Sequence, residues 1–145
     1  LSVRESDRAA MVDVARSLLS MGFTIYATEG TGGFLQRHGL SLNILAKIGA
    51  GARPNVLDLM ANGQIKLVIN TPTRTGWKTD EGRMRSTAVR LGIPMITTAT
   101  AAHASVKAIE ALRAADWDVA SLQDYAGADS TKPKVTIARP VPAHR

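Results

Sequence analysis

Residues 62–73 read Asn-Gly-Gln-Ile-Lys-Leu-Val-Ile-Asn-Thr-Pro-Thr, and this stretch decides the fold. The pair Asn62-Gly63 marks a stop or turn. Ile65 to Ile69 then reads as a strand. Its run Leu67-Val68-Ile69 is apolar on both faces, as the central strands of a parallel sheet are. The strand ends at Asn70-Thr71-Pro72-Thr73. A helix is expected on either side. One runs over 55–61, with Pro54 suited to its first turn. The other runs over 80–91, with Met84, Ala88 and Leu91 on one face and Gly92 as the stop.

The same alternation continues outward. Met11, Val14, Ala15, Leu18 and Leu19 share one face at the 3.6-residue period, which predicts an amphipathic helix over 6–21 with Ser6 as N-cap and Gly22 just past its end. Phe23 to Ala27 is short and apolar, like a buried strand. It is followed by a polar, glycine-rich turn, Thr28-Glu29-Gly30-Thr31-Gly32-Gly33, and a short helix from Gly33 to His38. Leu42 to Ala46 is a further strand candidate, followed by a glycine-containing loop from Lys47 to Pro54. Beyond Gly92, Met95 to Thr97 reads as a strand, Ala101 to Ala115 as a helix and Val119 to Leu122 as an edge strand. Strand and helix in alternation predict an α/β fold: a single Rossmann-like domain over 1–124, with a parallel sheet and helices on both faces. Residues 125–145 read as a basic, proline-containing tail.

The chain has 145 residues, the size of one domain, and is 45% hydrophobic and 21% charged, ordinary values for a globular fold. It has no cysteine, which excludes a disulfide scaffold, a thiol nucleophile, an iron–sulfur cluster and a cysteine-based zinc site, and fits a reducing cytoplasm. No apolar run approaches the ~20 residues that span a bilayer, so no membrane role is expected. The start at Leu1 rather than Met suggests a piece of a longer polypeptide. The net charge of +6 is unevenly spread: Lys132, Lys134, Arg139 and Arg145 lie in a stretch that holds no acid, and the rest of the chain is nearly balanced. Aromatic residues are also few, so stacking platforms for bases are scarce and nucleic acid is not the expected partner. A small anionic ligand fits better.

In a parallel α/β sheet the ligand crevice lies outside the carboxyl ends of the strands. The loops there carry Thr28, Gly30 and Thr31, then Lys47 and Arg53, then Asn70, Thr71 and Thr73, then Thr97, Thr98 and Thr100. Glycines let backbone N–H groups approach a phosphate, hydroxyls add hydrogen bonds, and Lys47 and Arg53 supply charge. The glycine turn has neither the G-x-G-x-x-G spacing nor the G-K-[ST] ending of the nucleotide fingerprints. His38, His103 and His144 show no metal-ligand spacing. Asp80 and Glu81 suit the first turn of a helix on dipole grounds alone. No catalytic or metal constellation is expected.

Ser2 to Asp7 (SVRESD), Ala27 to Thr31 (ATEGT), Lys47 with Arg53-Pro54-Asn55, Asn62 to Thr73 and Gly82 to Thr98 form an ordered string. On these residues the chain resembles the methylglyoxal-synthase-like domains, and among them the C-terminal regulatory domains of carbamoyl phosphate synthase large subunits. The resemblance implies a five-stranded parallel sheet and an allosteric role without chemistry of its own. It implies the effectors UMP, IMP and ornithine, in a cytoplasmic enzyme serving pyrimidine and arginine synthesis. The effector residues it implies are Thr28, Thr31, Lys47, Asn70, Thr71 and Thr73, with Arg8 standing where the family has a lysine. The parent ligase would use ATP with Mg or Mn and work with a glutaminase small subunit. Methylglyoxal synthase itself, a phosphate-eliminating lyase, is the alternative. Its catalytic aspartate would fall near Arg53, a cation that cannot act as the base.

Overall fold

A computed structural model describes residues 1–46, 48, 53–72, 76 and 79–114. Val68 and Ile69 are neighbours in sequence, yet each is buried in a different core. Ile69 packs with Val3, Met11, Val14, Leu18, Leu35 and Val106, whereas Val68 packs with Met60 and Ala88. Successive side chains on a strand point to opposite faces, so a strand with two such neighbours is covered on both sides. This is the central strand expected from the sequence.

The strand is β4, Val68–Thr71. It starts later than expected and runs further, so Asn70 and Thr71 lie inside the sheet and not in the loop after it. The reason is a partner that the sequence reading did not provide. Ser2–Val3 forms a strand, β1, whose residues pair in parallel with Asn70 and Thr71. Tyr26–Thr28 (β2) pairs with Asn43–Leu45 (β3), and β4 pairs with Met95–Ile96 (β5), all in parallel. Leu1 joins the two ladders. Its nitrogen donates to the Tyr26 carbonyl at 2.6 Å, and its carbonyl accepts from the Thr28 amide at 3.0 Å. The spatial order is therefore β3-β2-β1-β4-β5.

The helices follow the sequence with informative departures. The helix expected from Ser6 is split: Glu5–Asp7 is a 3-10 turn, and α1 runs Met11–Ser20. Ser6 caps nothing. Its hydroxyl turns to Asp7, and α1 starts from Ala10 without a side-chain cap. The glycine-rich turn is itself helix, since α2 spans Glu29–Arg37 and begins directly after β2. Glycine is needed there for packing: a Cβ at Gly32 would sit 2.8 Å from Ile44 Cγ1 and 3.2 Å from Leu42 Cδ1, so α2 lies hard against the β2–β3 ladder. Helix α3, Val56–Ala61, opens on a capping box in which Asn55 accepts from the Leu57 amide and Asp58 accepts from the Asn55 amide. Pro54 thus precedes the cap and is not in the first turn. Helix α4, Asp80–Leu91, has the expected bounds; Thr79 caps it, and Gly92 ends it in the left-handed region at φ 65°. Helix α5 covers Ala99–Ala114.

Residues 1–108 form one compact unit, and a second begins at Ile109. The expected strand at 119–122, the domain boundary at 124 and the basic tail lie outside the described residues. Within the first unit, α1, α2 and α5 contribute to the core around Ile69, while α3 and α4 build the core around Val68. The chain thus leaves β1 toward one face and β4 toward the other. A crevice opens between the carboxyl ends of two strands that diverge in this way. Leu35→Ala, at a fully buried position, should cost about 2–5 kcal/mol in urea denaturation. Val89→Ala, at 77% exposure on α4, should stay within about 0.5 kcal/mol of the parent.

Candidate functional site

Ser2, Val3 and Arg4 pair with Asn70 and Thr71, and the candidate crevice lies at the carboxyl ends of these two strands, β1 and β4. Thr28 and the first turn of α2 extend it beyond β2. Thr31 is buried in that turn, and its hydroxyl is committed: it accepts from the Val3 amide at 3.0 Å and donates to the Val3 carbonyl at 3.3 Å. With its proton used this way, Thr31 supports β1 and has no donor left for a ligand. Thr28 is the N-cap residue of α2, yet its hydroxyl does not cap. It lies 3.4 Å from both Ser2 Oγ and Thr31 Oγ1, long contacts of which one proton can serve only one at a time. The first turn of α2 therefore keeps its N–H groups uncapped by any side chain among the described residues.

Arg8 closes on the same turn. A Cβ on Gly30 would stand 2.9 Å from Arg8 Nη2 and 3.5 Å from its Cζ, so the guanidinium lies across the bare Cα of Gly30. Arg8 Nε is buried with no hydrogen-bond partner among the described residues. A helix N-terminus carries partial positive charge, so a cation laid on it is unfavourably placed until an anion joins them. Glu29, the acid of that turn, is exposed.

Asn70 is the second anomaly. It is 0% exposed, and both its carboxamide oxygen and nitrogen lack partners among the described residues. Leaving such groups unsatisfied costs about 1–3 kcal/mol each, and a native structure needs a reason for it. Asn70 sits opposite Ser2 in the β1–β4 register. Thr71, one residue on, accepts from the Arg4 amide through both its hydroxyl, at 3.0 Å, and its carbonyl, at 3.2 Å.

Asp7 borders the crevice. Its carboxylate pairs with Arg4 Nε at 2.9 Å and accepts from Ser6 Oγ at 3.3 Å. Burial works to raise its pKa. Hydrogen bonds from Thr71 and Arg4, the Arg4 charge and the Ser6 hydroxyl outweigh burial and hold the carboxyl below the usual aspartate range.

The sequence-derived set is thus partly assembled. Arg8, Thr28, Gly30 and Thr31 meet at the head of α2, while Asn70 and Thr71 end β4. Arg53 is turned to Asp58 on α3 at 2.9 Å with its side chain 79% exposed, an ion pair of the kind worth about 0–1 kcal/mol. Lys47 and Thr73 lie outside the described residues, as do Trp77 and Lys78. His38 is exposed and stacks on Phe34, and no group of three or more potential metal ligands occurs among the described residues. Sequence reasoning missed Ser2, Arg4 and Asp7 as site residues, because a two-residue strand leaves no periodic signal. They do fall within the quoted string SVRESD.

The family model described as "MGS-like domain" matches residues 10–97. The chain belongs to the MGS-like domain family. The matched span runs from α1 to β5 and includes every strand except β1. Among curated proteins, this MGS-like chain is 44% identical over 124 residues to the "Carbamoyl phosphate synthase large chain, C-terminal section" of Methanocaldococcus jannaschii, covering 86% of this chain and 20% of that protein. It is 38% identical to the carbamoyl phosphate synthase large chains of Rhodopirellula baltica and Methanosarcina barkeri, covering 85% and 86% of this chain but 11% and 12% of those proteins. The MGS-like chain therefore spans a fifth or less of the length of these relatives.

Two outcomes follow from the geometry. Asn70→Leu removes two orphaned polar atoms at nearly constant volume and should raise the unfolding free energy by about 1–3 kcal/mol; a fall in denaturation midpoint would refute the assignment of Asn70 as unsatisfied. Asp7 has a lowered pKa when folded, so its contribution to stability is fully present above the unfolded value of about 3.9 and is lost as pH falls through the folded value. The stability gap between the parent and Asp7→Asn should thus be constant from neutral pH to about 4 and close below it, as read by denaturation at each pH.

Proposed function

We propose that this chain is a regulatory, effector-binding domain of a carbamoyl phosphate synthase large chain, and that it senses a nucleoside monophosphate. One observation carries the reading: the Arg8 guanidinium lies on the uncapped N-terminus of α2, two positive features brought together over a side-chain-free residue. A phosphate bridging them would relieve that conflict and gain charge-assisted hydrogen bonds. The orphaned carboxamide of Asn70 and the hydroxyls of Ser2 and Thr28 line the same edge. They suit the neutral donors and acceptors of a nucleoside.

UMP and IMP are the nucleotides that fit this reading, with ornithine as a second effector acting with the rest of the large chain. The parent protein would be a cytoplasmic ligase using ATP with Mg or Mn and paired with a glutaminase subunit. In this reading the domain itself does no chemistry. A lyase at this edge would need a general base near neutral pH. Asp7, the carboxylate held at this edge, has a lowered pKa and is tied to Arg4. Binding regulates the parent enzyme only to the extent that the effector prefers one of its states.

Calorimetric titration with UMP at low ionic strength, where a charge-driven site is least screened, should give saturable one-to-one binding. Arg8→Ala should weaken it by about 1–3 kcal/mol. Gly30→Ala, whose methyl would displace the guanidinium, should weaken it in the same direction. Failure of both UMP and IMP to bind the chain and the full-length synthase would overturn the proposal.

A further inference from the structure

Asp7 is an acid beside a crevice read as an anion site, where a carboxylate in contact with the ligand would repel it. Its charge is instead absorbed by its neighbours. Only 14% of the side chain is exposed; it bonds Arg4 Nε at 2.9 Å and the Ser6 hydroxyl at 3.3 Å, and Thr71 is among the groups that lower its pKa. Two of these groups belong to the walls of the crevice. Arg4 continues β1 and is bonded through its amide to Thr71, and Thr71 ends β4 next to Asn70. The 3-10 turn Glu5–Asp7 closes through the Asp7 amide to the Arg4 carbonyl and the Arg8 amide to the Glu5 carbonyl. Arg8 is the next residue, and its side chain reaches Gly30.

We propose that Asp7 is a positioning residue for the anion site: it clamps the turn that launches Arg8 onto the end of β4, so that the guanidinium is already in place over the head of α2 before a ligand arrives. This rests on the functional reading above. The clamp has a purpose that packing does not serve. A free arginine would leave the helix N-terminus and take its charge into water, and the cost of bringing it back would be subtracted from affinity. With residues 4–8 fixed at both ends, that cost is met on folding.

The test is a double-mutant cycle on the 145-residue chain, with UMP as the probe. Asp7→Asn should raise the Kd about tenfold in the parent background and less than about twofold in the Arg8→Ala background, because the effect travels through Arg8. An equal loss in both backgrounds would show a general structural role and overturn the proposal. A ligand-free readout separates this inference from the functional one: hydrogen exchange at Arg8 Nε, which is buried in the parent. Asp7→Asn should speed it by at least about tenfold while amide protection at Val14 and Leu18 holds. Arg4→Met, which removes the guanidinium that Asp7 holds and keeps the Arg4 amide on Thr71, should do the same and serves if the first variant does not fold. Unchanged exchange at Arg8 in a folded variant overturns the clamp. If UMP does not bind the parent chain, the functional reading fails, and the exchange measurement still decides whether Asp7 holds Arg8.

Discussion

The hydroxyl of Thr31 is bonded to both the amide and the carbonyl of Val3, and much of the crevice depends on that pair of contacts. Strand β1 has two residues, too few to hold a sheet together through its own ladder. It sits nonetheless at the centre, with β2 on one side through Leu1 and β4 on the other. Thr31 pins it from the first turn of α2 and in doing so sets the distance between that turn and the sheet. The threonine that the resemblance made a ligand contact thus also ties β1 to α2. The N–H groups of α2, the Ser2 hydroxyl and the Arg4 amide are all placed relative to it.

Sequence periodicity revealed most of the frame. Met11, Val14, Ala15 and Leu18 fall into one buried face as their spacing requires, and the doubly apolar run ending at Ile69 is divided between two cores. What it could not reveal has a common physical cause. Elements set by long-range pairing leave no local trace: β1 is a strand only because Asn70 and Thr71 lie beside it, and β4 extends to Thr71 for the same reason. Glycines misled in the opposite direction. Gly30, Gly32 and Gly33 read as a turn by propensity, but tertiary contact overrides that preference. Gly32 is helical because only a residue without a side chain lets α2 approach Ile44, and Gly30 because Arg8 occupies the space. The candidate residues Arg8, Thr28, Gly30, Asn70 and Thr71 were legible from resemblance and from the strand-end rule. The clamp at Asp7 was not, since it depends on a partner 64 positions away.

This edge holds unfavourable arrangements that the rest of the protein offsets. The buried carboxamide of Asn70 and the guanidinium over a helix N-terminus both cost free energy in the unliganded protein, while the capping box of α3 and the two apolar cores supply it elsewhere. The family match over residues 10–97 covers most of those cores, leaving out Val3, Ala102 and Val106, and β1 and the Arg4–Arg8 segment lie before it. The common scaffold and the residues that set the charge of the crevice are thus largely separate in sequence.

The pairing of Ser2 with Asn70 also has a kinetic consequence. Joining β1 to β4 closes a loop that contains α1, the β2–β3 ladder with α2, and α3, and closing so long a loop is slow compared with forming a helix. Helix α3, with its capping box, can form from local contacts, but the strand-end arrangement exists only once β1 has slotted between β2 and β4. The juxtaposition of Ser2 with Asn70 therefore rests on the slowest kind of contact in the fold. A variant that delays that insertion would look well structured by its helix content while still lacking a site.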